Sequence, residues 1–547
     1  MFVTPFITLL QISLAFAVPL ASPTVSLDSA TVTGTSSQGV SKFLGIPYAQ
    51  PPTGNRRFRP PEPITPYTGS VDATAYGPAC PQQQDKAPIP EGLPKEVVDS
   101  IINLVETISV PDDEDCLTIN VIKPPNATPD SKLPVLVWIF GGAFESGSPA
   151  RNDGTSIVQR SIDLNEPVIY VSMDYRSNGF GFMASQEVKD AGVGNLGLRD
   201  PEREALRWIQ KYIGAFGGDP SKVTIWGESA GAISVALQMV ANGGDTEGLF
   251  RAAFMQSGST IPVGDITNGQ KYYDQVVADT DCSTSSDTLD CLRQVPYEKL
   301  KNAIYNTPGV FSYQALHLTW TPRVDGAFLT DTPPRLVEQG KVANIPFVTG
   351  NCDDEGTLFS LFSLNVTTDA QTREYVKNIL LPAGVPDSDL DDFMRVYPQD
   401  ITQGSPYDTS IFNALTPQFK RLASIQGDAV FQAPRRHFLR NLSSKQNAWA
   451  FLSKRLKEVP VAGSAHGTDL LNVYGGGELT DFLIHLTTTL DPNGETETPT
   501  WPKYTPQSPE LLTLMPEISL RPITITKDTY RQEAMDVCTR VLSEHPL

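Results

Sequence analysis

Gly227-Glu228-Ser229-Ala230-Gly231 sets a hydroxyl between two glycines, after an apolar run (223–226) and before a small-residue, apolar segment that suits a helix. Glycines on both sides permit a sharp turn where Cβ atoms would collide, and such a turn lifts the serine oxygen clear of the strand end. A helix-capping serine gives the same letters, so the strand-then-helix setting carries the argument for a nucleophile. Serine is a poor nucleophile until a base takes its proton. The histidines are His317, His437, His466, His485 and His545. His466, in VAGSAHGTDL, sits among small residues just after an apolar run, as a loop base would; the others lie in helical or tail contexts. A base needs an orienting carboxylate, placed in chain order between serine and histidine. VTGNCDDEGTLF (348–359) offers Asp353, Asp354 and Glu355, and spacing does not choose among them. In WIFGGAFESG (138–147) a Gly-Gly turn leaves backbone N–H groups able to face a developing oxyanion. These four parts together describe acyl transfer through a covalent serine intermediate.

Something must hold these parts together in space. Short continuous apolar runs at 133–140, 167–175, 222–227, 345–350 and 447–454 read as strands buried on both faces. Each candidate part follows one of them. Between the strands lie helical patterns, such as 200–216 with Ala205, Trp208, Ile209 and Tyr212 on one stripe and Gly-Gly-Asp-Pro as its stop. The alternation predicts an α/β fold with a large, mostly parallel central sheet and helices on both faces. No repeat or Gly/Ser linker divides the chain, so residues 22–547 are expected to form one domain with insertions.

The chain of 547 residues carries a net charge of −20, with no basic run to release counterions, which argues against nucleic acid or an anionic membrane as partner. The segment 1–21 reads as a secretory signal cleaved after Ala21, with Ala17 as the other candidate. No later stretch offers the roughly eighteen uninterrupted apolar residues of a membrane helix. A secreted chain with no integral membrane segment is the expectation. Secretion permits disulfides among the six cysteines, and spacing alone does not fix their pairing. Asn126, Asn365 and Asn441 head glycosylation triplets. No metal-ligand cluster or cofactor motif is visible, so neither is expected.

Longer stretches carry a resemblance: FLGIPYAQPPTGNRRF (43–58), EDCLTINV (114–121), the run from GNLGLRDPE through GESAGA (194–232), DDEGTLF (353–359), SLNVTTDAQTREY (363–375), DITQGSPYD (400–408), NALTPQFKR (413–421) and WPKYT (501–505). Over nearly the whole chain the sequence resembles the type-B carboxylesterase/lipase family of the α/β-hydrolase fold, in particular its secreted yeast and fungal lipases and sterol esterases. The resemblance implies Ser229 as nucleophile, Glu355 as the acid and His466 as base. It implies oxyanion donors at Gly142, Ala143 and Ala230, and disulfides Cys80–Cys116 and Cys282–Cys291, leaving Cys352 and Cys538 over. Ala143 stands where many relatives carry a third glycine, yet keeps its N–H. Pro201 replaces the usual Gln after Asp200, with no functional meaning attached.

The substrate reading rests on apolar side chains. Residues 86–111 place Val97, Val98, Ile101, Ile102, Leu104, Val105 and Ile108 on one helical stripe, with charged residues opposite. A surface helix docked on the core gives that pattern too; the resemblance makes it a lid that opens at a lipid–water interface. Phe359 and Phe362 would suit the wall of an acyl groove. The expected activity is hydrolysis of apolar acyl esters, of triacylglycerol lipase or sterol esterase type. The alternatives are an esterase for short or aromatic (feruloyl-type) acids, and a non-catalytic binding or adhesion protein on the same fold.

Overall fold

A computed structural model describes residues 22–83, 110–381, 384–494 and 499–547. The expected signal (1–21), and the expected lid except for its last two residues, lie outside the described residues.

Eleven strands form the main sheet. In chain order they are β1 (Thr35–Ser37), β2 (Val40–Pro47), β3 (Thr118–Lys123), β4 (Leu133–Ile139), β5 (Ile169–Met173) and β6 (Gly218–Glu228), then β7 (Ala252–Gln256), β8 (Phe347–Cys352), β9 (Ala448–Ser453), β10 (Glu510–Leu514) and β11 (Ile523–Lys527). Their spatial order is β11-β10-β9-β8-β7-β6-β4-β5-β3-β2-β1. From β10 to β5 every neighbouring pair is parallel; the pairings outside that stretch are antiparallel. A separate small sheet joins Thr24–Leu27, Ser29–Thr33 and Thr68–Asp72.

The apolar runs became strands because helices cover both sheet faces and no position is left for a polar side chain to reach water. Val135 to Trp138 and Val223 to Trp226 are buried throughout, and Trp138 pairs in register with Trp226, rings 4.2 Å apart. Each fully buried side chain of this size contributes about 1.5–3 kcal/mol.

The helical stretch expected at 200–216 is real but differs in detail. It begins earlier, with Leu196–Arg199, passes through a π-turn at Asp200–Ala205 and ends in a 3₁₀ turn at Ile213–Phe216. Gly217 closes it in the left-handed region (φ 98°), but Gly218-Asp219-Pro220 already belong to β6 rather than to a connecting loop. Cys80–Cys116 and Cys282–Cys291 are bonded; Cys352 and Cys538 are free and buried. No described helix is long and apolar enough to cross a membrane.

The parallel register sets where chemistry can occur. Ile139 lies beside Gly227, Glu228 beside Gln256, Gln256 beside Gly350 and Cys352 beside Ser453. So β4, β6, β8 and β9 end at one edge, and the segments leaving them emerge together. Ligands of open parallel sheets bind beyond the carboxyl ends of the strands.

Candidate active site

The turn after β6 holds Ser229 at φ 56°, ψ −127°, a backbone conformation unfavourable for a side chain with Cβ. The surroundings enforce it. A Cβ at Gly231 would collide with the Ile139 carbonyl, and one at Gly227 with the backbone of Gly231. The Ser229 N–H donates to the Gln256 carbonyl at 2.9 Å, and helix Ala230–Val240 starts at once.

His466 comes from the loop after β9, Glu355 from the turn after β8. His466 Nε2 lies 2.8 Å from Ser229 Oγ, and Nδ1 lies 2.6 Å from Glu355 Oε2. Glu355 Oε1 accepts from the Cys352 N–H at 2.8 Å and from Asn351 Nδ2 at 3.1 Å. The neighbouring acids turn elsewhere. Asp353 and Asp354 both accept from Lys457 Nζ, at 2.6 and 2.7 Å. Asp354 also accepts from the Ser464 and Tyr407 N–H groups, tying the acid turn to the loop that carries His466.

The turn after β4 lies against the serine: a Cβ at Gly141 would meet Ser229 Cβ at 2.8 Å. Gly142 (φ 103°) and Ala143 (φ 57°) both adopt positive φ. Among the described residues, no acceptor takes the N–H groups of Gly142, Ala143 or Ala230.

Two carboxylates touch the imidazole, and a third, Asp469, acts on it from farther off. Glu228 Oε1 is 3.4 Å from His466 Nε2 and makes no hydrogen bond among the described residues. Burial pushes the Glu228 carboxyl up to about 8, and Asp469 up to about 6. Burial alone would lower the His466 value, but Glu355 and then Glu228 outweigh it and raise the imidazole to about 9. The arrangement can take a proton from Ser229 at Nε2 and hold the resulting imidazolium at Nδ1.

Phe359 lies 5.3 Å from the imidazole, centre to centre, and Phe431 only 4.5 Å. Phe362 is turned aside, against Phe311 at 5.3 Å, in a neighbouring apolar cluster with Phe419 and Val461. Leu316, Leu318 and Val430 pack on the Phe359–Phe431 pair and also line an apolar cavity, which continues past Ile233 and Phe393 to Leu547. Ile233 is one turn beyond Ser229 on the same helix, bonding back to the serine carbonyl. Phe431, Glu228, Asp469 and Asn351 were not singled out from sequence. Glu228 sits inside the serine motif, so its position alone could have flagged it; Phe431 lies in a helical stretch with no local signal.

Asn126 and Asn365 are exposed and Asn441 is partly so. Asp389, Glu544 and His545 bring three ligand-type atoms within 4.8 Å of one another. Arg540 already donates to Asp389 at 2.8 Å, which neutralises that carboxylate.

Residues 21–537 match the model of the carboxylesterase family. The chain belongs to this family. It is a carboxylic ester hydrolase of the α/β-hydrolase fold. Lipase 4 of Diutina rugosa is 43% identical over 94% of this chain and 95% of its own. A secreted triacylglycerol lipase of Gibberella zeae is 41% identical over 88% of this chain and 85% of its own. The crystal structure of Aspergillus niger EstA superposes with a TM-score of 0.80 at 27% identity, covering 96% of this chain and 99% of that one.

Proposed function

We propose that this ester hydrolase acts on lipid esters with long apolar acyl chains, of triacylglycerol or sterol-ester type, through Ser229, His466 and Glu355. His466 takes the Ser229 proton as Oγ attacks the ester carbonyl. The N–H groups of Gly142, Ala143 and Ala230 receive the oxyanion; one such donor is worth about 3 kcal/mol. The imidazolium, held by Glu355, then protonates the leaving alcohol, and water repeats the cycle on the acyl-serine. The 2.8 Å and 2.6 Å spacings support these roles.

The acyl reading rests on one observation: an apolar cavity lined by Leu316, Leu318 and Val430, which pack against the Phe359–Phe431 cluster, and by Ile233, one turn beyond Ser229. Its mostly aliphatic lining suits a hydrocarbon tail more than an aromatic acid. The Gibberella zeae relative, named a secreted triacylglycerol lipase, favours the same substrates and an extracellular location. With that location go a signal at 1–21, one hydrolase domain over 22–547, a lid near 86–111 and sugars at Asn126, Asn365 and Asn441. A chain-length series of nitrophenyl esters, run with and without an emulsion, tests the substrate reading. We expect the highest kcat/KM at about eight carbons or more, where the tail has more apolar surface to bury, and a gain with the interface. A preference for two to four carbons would overturn it.

A further inference from the structure

On the side of Glu355 turned away from His466 lies a cation closed off from solvent. Arg435, on the helix Ala433–Leu442, has a fully buried side chain. Its carboxylate partner, Asp528, is shared with Arg436, which is buried as well. Two guanidinium groups against one carboxylate leave a positive charge in excess. Such a charge is tolerable in an interior only when its donors are all used.

The remaining donors of Arg435 lead toward Glu355 by two routes. Arg435 Nε donates to Asn351 Oδ1 at 2.6 Å, and Asn351 Nδ2 donates to Glu355 Oε1 at 3.1 Å. Arg435 Nη2 donates to the Tyr530 hydroxyl at 3.0 Å. Tyr530 donates to Gln432 Oε1 at 2.8 Å, and Gln432 Nε2 to the Cys352 carbonyl at 2.8 Å. Cys352 in turn supplies the second N–H on Glu355 Oε1. Along the first route every donor points away from the guanidinium. The cation therefore polarises the Asn351 amide in the sense that suits a carboxylate at its far end.

We propose that Arg435, acting through the Asn351 amide, is a positioning residue for Glu355: it fixes Oε1 so that Oε2 faces His466 Nδ1. The proposal rests on the reading of Glu355 as the orienting acid. An Arg435–Asp528 pair serving stability alone has no use for an amide at 351. A buried asparagine is worth its desolvation only if both its oxygen and its nitrogen are engaged, as they are here. Among the described residues, Glu228, Asp469 and the Cys352 thiol also face the site, and none of them bonds to Glu355 Oε1 through its side chain.

The test uses a soluble nitrophenyl ester, full pH profiles and three variants with their double. Asn351→Leu keeps the side-chain shape and the Arg435–Asp528 pair but cuts the relay. It should lower kcat about tenfold, the worth of one hydrogen bond to a charged group, with KM within about twofold. The acidic limb of kcat/KM should rise by about half a pH unit, because a carboxylate short of one donor holds the imidazolium proton more tightly. Arg435→Met should move the limb the same way, and the double variant should be no worse than Asn351→Leu alone. Additive losses, an unmoved limb or an unchanged kcat in Asn351→Leu would each overturn the proposal. Where Arg435→Met does not fold, the Asn351→Leu profile decides alone. Glu355→Gln separates the two readings: if that variant turns over normally, the triad assignment fails, whereas if it is inactive beside a normal Asn351→Leu, only the relay fails.

Discussion

At the scale of the residue, the site is one imidazole contested by several carboxylates. Glu355 is bound to Nδ1, while Glu228 touches Nε2 without a hydrogen bond. Both hold the proton on His466, whose value is raised to about 9. A general base works only when neutral, so kcat/KM should climb with pH through that region, later than an ordinary imidazole with a value of about 6.5 would allow. Glu228→Gln removes one anion and should bring the acidic limb of kcat/KM down by roughly one pH unit; a pH–rate profile on a soluble ester reads this. The serine motif and His466 were legible in the sequence because each has a distinctive local setting. Spacing left the acid open among Asp353, Asp354 and Glu355, which are adjacent in a turn and point in different directions, and only the family resemblance pointed to Glu355. The fold adds the physical reason: Lys457 engages the first two. Phe431 and Arg435 became visible only as neighbours in space, and Glu228, though inside the serine motif, showed its contact with the imidazole only there.

At the scale of the element, strain at Ser229 is maintained by neighbours that leave no room for relaxation. Gly231→Ala would drive a methyl group into the Ile139 carbonyl. Such a backbone clash should cost about 1–3 kcal/mol or more, measured as a fall in the denaturation midpoint, with activity falling too as the turn shifts. Lys457 joins the acid turn to the histidine loop through buried Asp353 and Asp354. Lys457→Met removes the cation they share, leaving Asp353 only the more distant Lys454 at 3.4 Å, and should cost about 3–5 kcal/mol by urea unfolding. Strands were readable because continuous apolar runs have few other meanings in a helix-covered sheet. Their ends were less so: β6 starts at Gly218, inside a Gly-Gly-Asp-Pro segment whose local propensity says turn. Pairing with β4, through Leu133 opposite Gly218, overrides that propensity.

At the scale of the molecule, a sheet whose β4, β6, β8 and β9 end together brings residues more than a hundred positions apart to one point. The Cys80–Cys116 bond closes a separation of 36 residues beside this sheet. Cys80→Ser with Cys116→Ser should cost about 3–4 kcal/mol by the loop-entropy model, read as a lower Tm in calorimetry. The central claim is that Ser229 carries the acyl group on a proton relay through His466 and Glu355. The most direct measurement is reaction with an alkyl phosphonate ester of a nitrophenol, followed by peptide mapping by mass spectrometry. The account predicts one phosphonyl group per chain, on Ser229, formed at a rate that collapses in His466→Ala. A label on any other residue, or ester turnover that survives full modification of Ser229, would contradict it.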